Sequence, residues 1–242
     1  RSYLVELSGR VAGAVDDATG GPLLDVIVDA AGQKGTGRWT VIEAQHLAAP
    51  IPAIEAAVVA RNLSSQRDAR AAGEALFGAA PRHLPHDTLS EDVLENAMIA
   101  GKILCYAQGY ALLSAASEAF GWERALPGIA RGWREGCSIR SDMLNDMAEA
   151  LTEDSGRNLM FAPGFADRLK SSHDALRQVV AQSALHGLPT PALGSGLTYF
   201  DAMRTHRGTA NMIQGQRDYF GLHGFARLDN GSTGQHGPWA RN

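Results

Sequence analysis

The chain has 242 residues, 45% of them hydrophobic, and a formal net charge of -4, which is enough for one large core or two smaller ones. That charge excludes a broad electrostatic pull on nucleic acid, and the only two cysteines, Cys105 and Cys137, exclude a disulfide scaffold. No apolar run reaches membrane-spanning length without interruption and no secretory signal is visible at the start, so a soluble cytoplasmic protein is the default reading.

The first segment, RSYLVELSGRVAG, sets Leu4, Leu7 and Val11 at helical spacing. Apart from Ser2 nothing before Leu4 resembles an N-cap, so the chain reads as cut near or inside a helix; a naturally short protein is the plainer alternative. The helix fades at DDATGGP. Leu23 to Ala30 reads as a strand or a short buried helix, since periodicity does not separate the two. After GQKGTGRWT, residues 32–40, one helix runs to His46 and another from Pro52 through Arg61 to about Ala72. Phe77 to Asp87 is a surface connection.

Thr88-Leu89-Ser90-Glu91 has the pattern of a capping box ahead of an apolar run. No proline interrupts the run up to Phe120, and a helix of about 30 residues spans roughly 45 Å. Its apolar residues lie nearly all the way round, with Ala and Gly between them, as in a helix buried at the centre of a bundle. Lys102, Gln108 and Glu118 argue against a membrane span. Further helices are expected over Leu126–Trp133, Ser138–Leu151, Phe165–His186 and Thr198–His206. The stop signal His186-Gly187-Leu188-Pro189 ends the third of these. From Arg207 to Asn242 the chain is polar and Gly-rich, with one short helix over Ala210–Phe220. Such a tail needs a surface to lie on. The fold class is all-α: a large multi-helix domain with a long buried central helix and an extended C-terminal tail.

Three segments could carry chemistry. In GQKGTG the glycines at 32, 35 and 37 permit close backbone approach, while Lys34 and Thr36 offer a charge and a hydroxyl for a phosphate. The spacing is neither a Walker A loop nor G-x-G-x-x-G, and taken alone a surface turn with a solvated lysine explains it better. Arg61 ends a run that should be buried, and a buried arginine requires an anion or several acceptors. An arginine emerging into solvent at the helix end is the slightly favoured reading. In QRDYFGLH, Arg217 suits bidentate phosphate contact and His223 can donate or accept near neutral pH. The plain reading pairs Arg217 with Asp218 or another acid and leaves His223 exposed, and on the residues alone it wins. His173 and Asp174 are adjacent and should not share a helix face. His83 and His86 lack the company of a zinc site, and Arg131, Arg134 and Arg140 read as a solvated helical face.

Read together, AGQKGTGRWT, ARNLSS, KILCYAQGYALL, GCSIRS and IQGQRDYFGLH occur in the order and approximate spacing of the 6-phosphogluconate dehydrogenase family, which the chain resembles from about Tyr3 to Trp239. The resemblance implies an enzyme of the pentose phosphate pathway. Such enzymes oxidise 6-phosphogluconate with NADP and release carbon dioxide to give ribulose 5-phosphate, without a metal. It implies that Lys34, Thr36 and Arg61 contact the substrate phosphate. Arg217, and His223 on a substrate oxygen, would reach in from the other subunit of a homodimer that exchanges tails. Residues 1–206 would then be a substrate-binding and dimerisation domain and 207–242 the tail. The N-terminal Rossmann-like NADP domain and the family's catalytic lysine and glutamate would precede Arg1, so no catalytic residue is expected in this chain and the isolated chain is expected to be inactive. Arg38 stands where the family commonly has lysine, and His236 and Trp239 match its terminal His-x-x-Trp pattern loosely. The competing reading is a stand-alone, non-catalytic helical dimerisation or ligand-binding module; a related β-hydroxyacid dehydrogenase is a weaker third.

Overall fold

The computed structural model describes residues 1–122 and 125–241; Glu123, Arg124 and Asn242, the last of them in the expected tail, lie outside the described residues. The regular structure of the described residues is helical: α1 (Tyr3–Ala12), α2 (Thr36–His46), α3 (Pro52–Ser64), α4 (Arg67–Phe77), α5 (Glu91–Phe120), α6 (Leu126–Gly136), α7 (Met143–Glu153), α8 (Pro163–Leu185), α9 (Pro191–Met203) and α10 (Ala210–Gly221). Short 3-10 turns occur at Leu23–Asp25, Leu159–Phe161 and Pro238–Arg241. Strand-like pairing among the described residues is limited to isolated bridges, such as Phe225 with Gln235. The chain forms two compact units, Arg1–Tyr199 and Phe200–Asn242.

In the first unit α5 is the spine. Its neighbours are α8, α3, α6 and the turn at Leu159–Phe161. Small residues at Ala97, Ala100, Ala107 and Ala116 alternate with Ile103, Leu104 and Leu112 on its buried surface, so neighbouring helices approach closely. α8 meets it with Phe165, Leu169, Ser172, Leu176, Val179 and Ser183, spaced as one helical face. The buried Ser172 hydroxyl donates to the Arg168 carbonyl at 2.6 Å rather than facing apolar neighbours unpaired. Gln108, fully buried in α5, accepts the Ala53 N–H at 2.9 Å, satisfying a donor in the first turn of α3.

Several expectations change. The central helix is not covered all round, because Leu94, Met98 and Cys105 stay exposed along one side. Its N-cap is Ser90, whose hydroxyl accepts from Val93 N at 3.3 Å, while Thr88 donates instead to the Pro85 carbonyl. The helix expected over residues 52–72 is two helices, broken between Ser64 and Arg67. Leu23 to Ala30 is neither strand nor buried helix but a 3-10 turn followed by exposed irregular chain. The helix expected from Ser138 begins at Met143, and the one expected from Thr198 begins at Pro191. His173 Nδ1 and Asp174 Oδ1, expected on different faces, lie 3.2 Å apart. Arg140 is not on a helical face at all; it stacks 4.1 Å above the Tyr3 ring. Leu4, Leu7 and Val11 do line up on α1, and all three are exposed. No helix among the described residues is long and apolar enough to cross a membrane.

Candidate functional site

The segment 29–35 has no regular structure, so side chains must hold it. Arg61, near the end of α3, donates through Nη2 to the Gly32 carbonyl. Gln33 Nε2 donates to Asn62 Oδ1 at 2.5 Å, and Ala31 N donates to Ser64 Oγ at 3.0 Å. Arg70 of α4 bonds the Asp29 carbonyl at 3.2 Å, pairs with the Asp29 carboxylate, and also reaches the Ser64 carbonyl at 3.3 Å. The last turn of α3 and the first turn of α4 therefore fasten the loop that carries Lys34.

The glycines then set the path into α2. Gly35 has φ +110 and is buried, and a Cβ there would stand 3.2 Å from the Trp39 ring, so both conformation and space favour glycine. At Gly37 a Cβ would come 3.1 Å from Val58 Cγ2 of α3, so this residue sets the close approach of α2 and α3. Thr36 is consequently the first residue of α2 and exposed, beside the exposed Lys34. The N-terminal amides of α2 have no side-chain cap, and the positive end of a helix favours an anion. Arg61 is exposed, as the plainer sequence reading had it.

Arg217 and His223 belong to the second unit. Arg217 does not pair with Asp218; its Nη1 donates to Gln214 Oε1 at 3.1 Å. Leu222 adopts φ +49 and turns the chain back, so that a Cβ on Gly221 would lie 2.7 Å from His223 Nε2. Gly221 follows Arg217 by one helical turn, which puts the imidazole and the guanidinium on the same side of α10. The His223 ring also meets Phe220 edge-on, with centroids 6.0 Å apart.

Asp218 is the residue that sequence reasoning missed. It is fully buried. Oδ1 accepts from Gly224 N at 2.9 Å and lies 2.6 Å from His236 Nδ1; Oδ2 accepts from Gly237 N at 2.8 Å and Trp239 Nε1 at 2.9 Å. Burial pushes this carboxyl up, but the bonds from Gly237, His236, Gly224 and Trp239 outweigh it and hold the group well below the usual carboxylate range. The loose His-x-x-Trp match at 236–239 was the available signal, since both of its side chains converge on this one carboxylate.

A family model described as 6-phosphogluconate dehydrogenase, C-terminal domain, matches residues 1–239. The chain belongs to the 6-phosphogluconate dehydrogenase family. It is 42% identical over 233 residues to an NAD(+)-dependent, decarboxylating 6-phosphogluconate dehydrogenase of Bacillus subtilis, covering 95% of this chain and 50% of that one. The NADP(+)-dependent decarboxylating enzyme of the same organism is 40% identical over 232 residues, covering 94% and 49%. A solved 6-phosphogluconate dehydrogenase of Plasmodium falciparum, described in its apo form and in complex with its cofactor NADP+ and its substrate 6-phosphogluconate, superposes with a TM-score of 0.90 at 36% identity. It covers 98% of this chain and 52% of its own. The chain thus spans about half the length of these family members.

The residues described do not fit a nicotinamide dinucleotide. Among them no strand leads into a glycine turn and helix, which is the geometry such a pyrophosphate requires. Nor is there, among the described residues, a group of three or more His, Cys, Asp or Glu side chains placed to hold a metal ion.

Proposed function

We propose that this chain is the substrate-binding and dimerisation half of a decarboxylating 6-phosphogluconate dehydrogenase that works with NADP in the cytoplasm. The observation that carries this reading is the fastening of the Gly32–Gly35 loop to Arg61, within a chain whose family relatives are dehydrogenases of this substrate. Lys34, Thr36, the amide end of α2 and Arg61 supply one charge-assisted pocket for a phosphoryl group. On phosphate entry Arg61 exchanges the Gly32 carbonyl for phosphate oxygens, a stronger, charged acceptor. Arg217 and His223 come from the tail of a second copy, the guanidinium to the phosphate and the imidazole to a substrate oxygen. The dinucleotide is held by residues outside the matched half of the family's length, and its chemistry is hydride removal from the substrate hydroxyl. This chain binds and orients the substrate but does not itself move the proton, so alone it binds 6-phosphogluconate weakly and does not turn it over.

Complementation between variants tests the shared site. Chains carrying Arg61→Ala and chains carrying Arg217→Ala should each lose 6-phosphogluconate binding. Mixed and re-equilibrated, they should recover about one quarter of the sites, because half the dimers are mixed and each mixed dimer holds one intact site. No recovery, with both variants folded and dimeric, overturns the tail exchange.

A further inference from the structure

Neither Lys34 nor Arg61 explains why the second unit spends a fully buried carboxylate on its tail. Asp218 lies one helical turn from Gln214, and both side chains grip the same residue. Gly224 donates its N–H to Asp218 Oδ1 at 2.9 Å, and its carbonyl accepts from Gln214 Nε2 at 2.5 Å. Gly224 follows His223 directly. The same Gln214 amide accepts from Arg217 Nη1 at 3.1 Å. The guanidinium and the peptide after the imidazole are therefore tied to one side chain. Asp218 secures the far end as well, through His236, Gly237 and Trp239, and Trp239 in turn meets the Tyr219 ring at 5.6 Å.

The loop between these anchors leaves no slack. Phe225 and Gln235 exchange backbone bonds at 2.8 and 3.0 Å. Gly224 has φ +73, and a Cβ there would stand 3.3 Å from Gly234 Cα on the returning chain, so the two backbones touch where only glycine fits. A buried acceptor with every donor satisfied rigidifies its surroundings, and one left half satisfied is costly.

We infer that Asp218 and Gln214 are positioning residues, which hold Arg217 and His223 in register for one substrate without touching it. This rests on the proposed role of those two residues. It gives the terminal His-x-x-Trp a purpose: His236 and Trp239 are donors to the carboxylate, not substrate contacts.

Binding of 6-phosphogluconate to the full chain, followed by NMR titration with the His223 ring protons and the Trp239 indole N–H as reporters, tests it. Asp218→Asn and Gln214→Ala should each weaken binding about tenfold and broaden the His223 signals. Neither should weaken it further in a chain already carrying Arg217→Ala and His223→Ala, because the residues act as one unit. Asp218→Glu, which keeps the charge, should recover part of the loss. Gln214 is only partly buried, so Gln214→Ala gives the answer if Asp218→Asn fails to fold. Unchanged binding by Gln214→Ala and a folded Asp218→Asn, with Arg217→Ala weak, overturns the positioning role and leaves the phosphate site standing. Equal losses in both backgrounds overturn it too, by showing a general effect on folding. Unchanged binding by the Arg217→Ala and His223→Ala double variant removes the site reading instead.

Discussion

At the scale of single residues, space decides more than charge. The His223 ring occupies the place where a side chain on Gly221 would be. Gly221→Ala should therefore push the imidazole off the Arg217 side of α10 and lower 6-phosphogluconate affinity by roughly tenfold. Gly215→Ala, in the same helix and with nothing within 4 Å of its Cβ, should bind normally and stabilise the helix by about 0.5–1 kcal/mol. Equal effects of the two would contradict the placement of His223. Asp218 makes a pH prediction. Its folded carboxyl lies below the ordinary value of 3.8, so the unfolded tail binds the proton more readily. The stabilisation is complete above that ordinary value and drains away as pH falls toward the folded one. His236 Nδ1, 2.6 Å from Oδ1, is the titratable group that faces it. Exchange of the Trp239 indole N–H should accelerate as pH falls below about 4, and Asp218→Asn should show no such step.

At the scale of elements, sequence patterns located helices well and their breaks poorly. The long α5 was legible because helix formers run unbroken between a capping serine and Gly121. The break after α3 was not, because neither Gly nor Pro marks it. Instead Ser64 and Ser65 donate to the Arg61 and Asn62 carbonyls, each at 2.7 Å, competing with the helical ladder where it should continue. The break matters, since Ser64 and Arg70 on its two sides hold the Lys34 loop. Leu23 to Ala30 has strand-like composition, but the described residues offer it no strand to pair with, and tertiary context overrode propensity. Gln108 shows the reverse case. A polar residue in an Ala-rich helix first reads as evidence against a membrane, and the fold uses it to accept the Ala53 N–H. Gln108→Leu should leave that buried donor unpaired and cost about 1–3 kcal/mol in urea denaturation. A variant as stable as the parent would mean that α3 finds another acceptor.

For the whole molecule, apolar exposure indicates unfinished burial. In α10 and the segment after it, Met212, Ile213, Tyr219, Phe220, Leu222 and Leu228 are all more than half exposed, a larger apolar display than a free tail retains in water. A homodimer that exchanges tails would cover it. Sedimentation of the chain should show a dimer, and truncation before Arg207 should weaken it; a monomer in both forms would contradict the exchange.

Sequence alone determined the family and the helical class, because several motifs in fixed order and a 3.6-residue apolar period survive without knowledge of the fold. It also supplied Lys34, Thr36, Arg61, Arg217 and His223 as candidates, but only through the resemblance to the family, since on the residues alone the plainer readings were favoured. Only the tertiary structure revealed the fastening of the 29–35 loop and the Asp218 hub. Those bonds join residues far apart along the chain, and a carboxylate with four donors is written nowhere as a local pattern: its partners at 224, 236, 237 and 239 become neighbours only when the backbone turns back on α10.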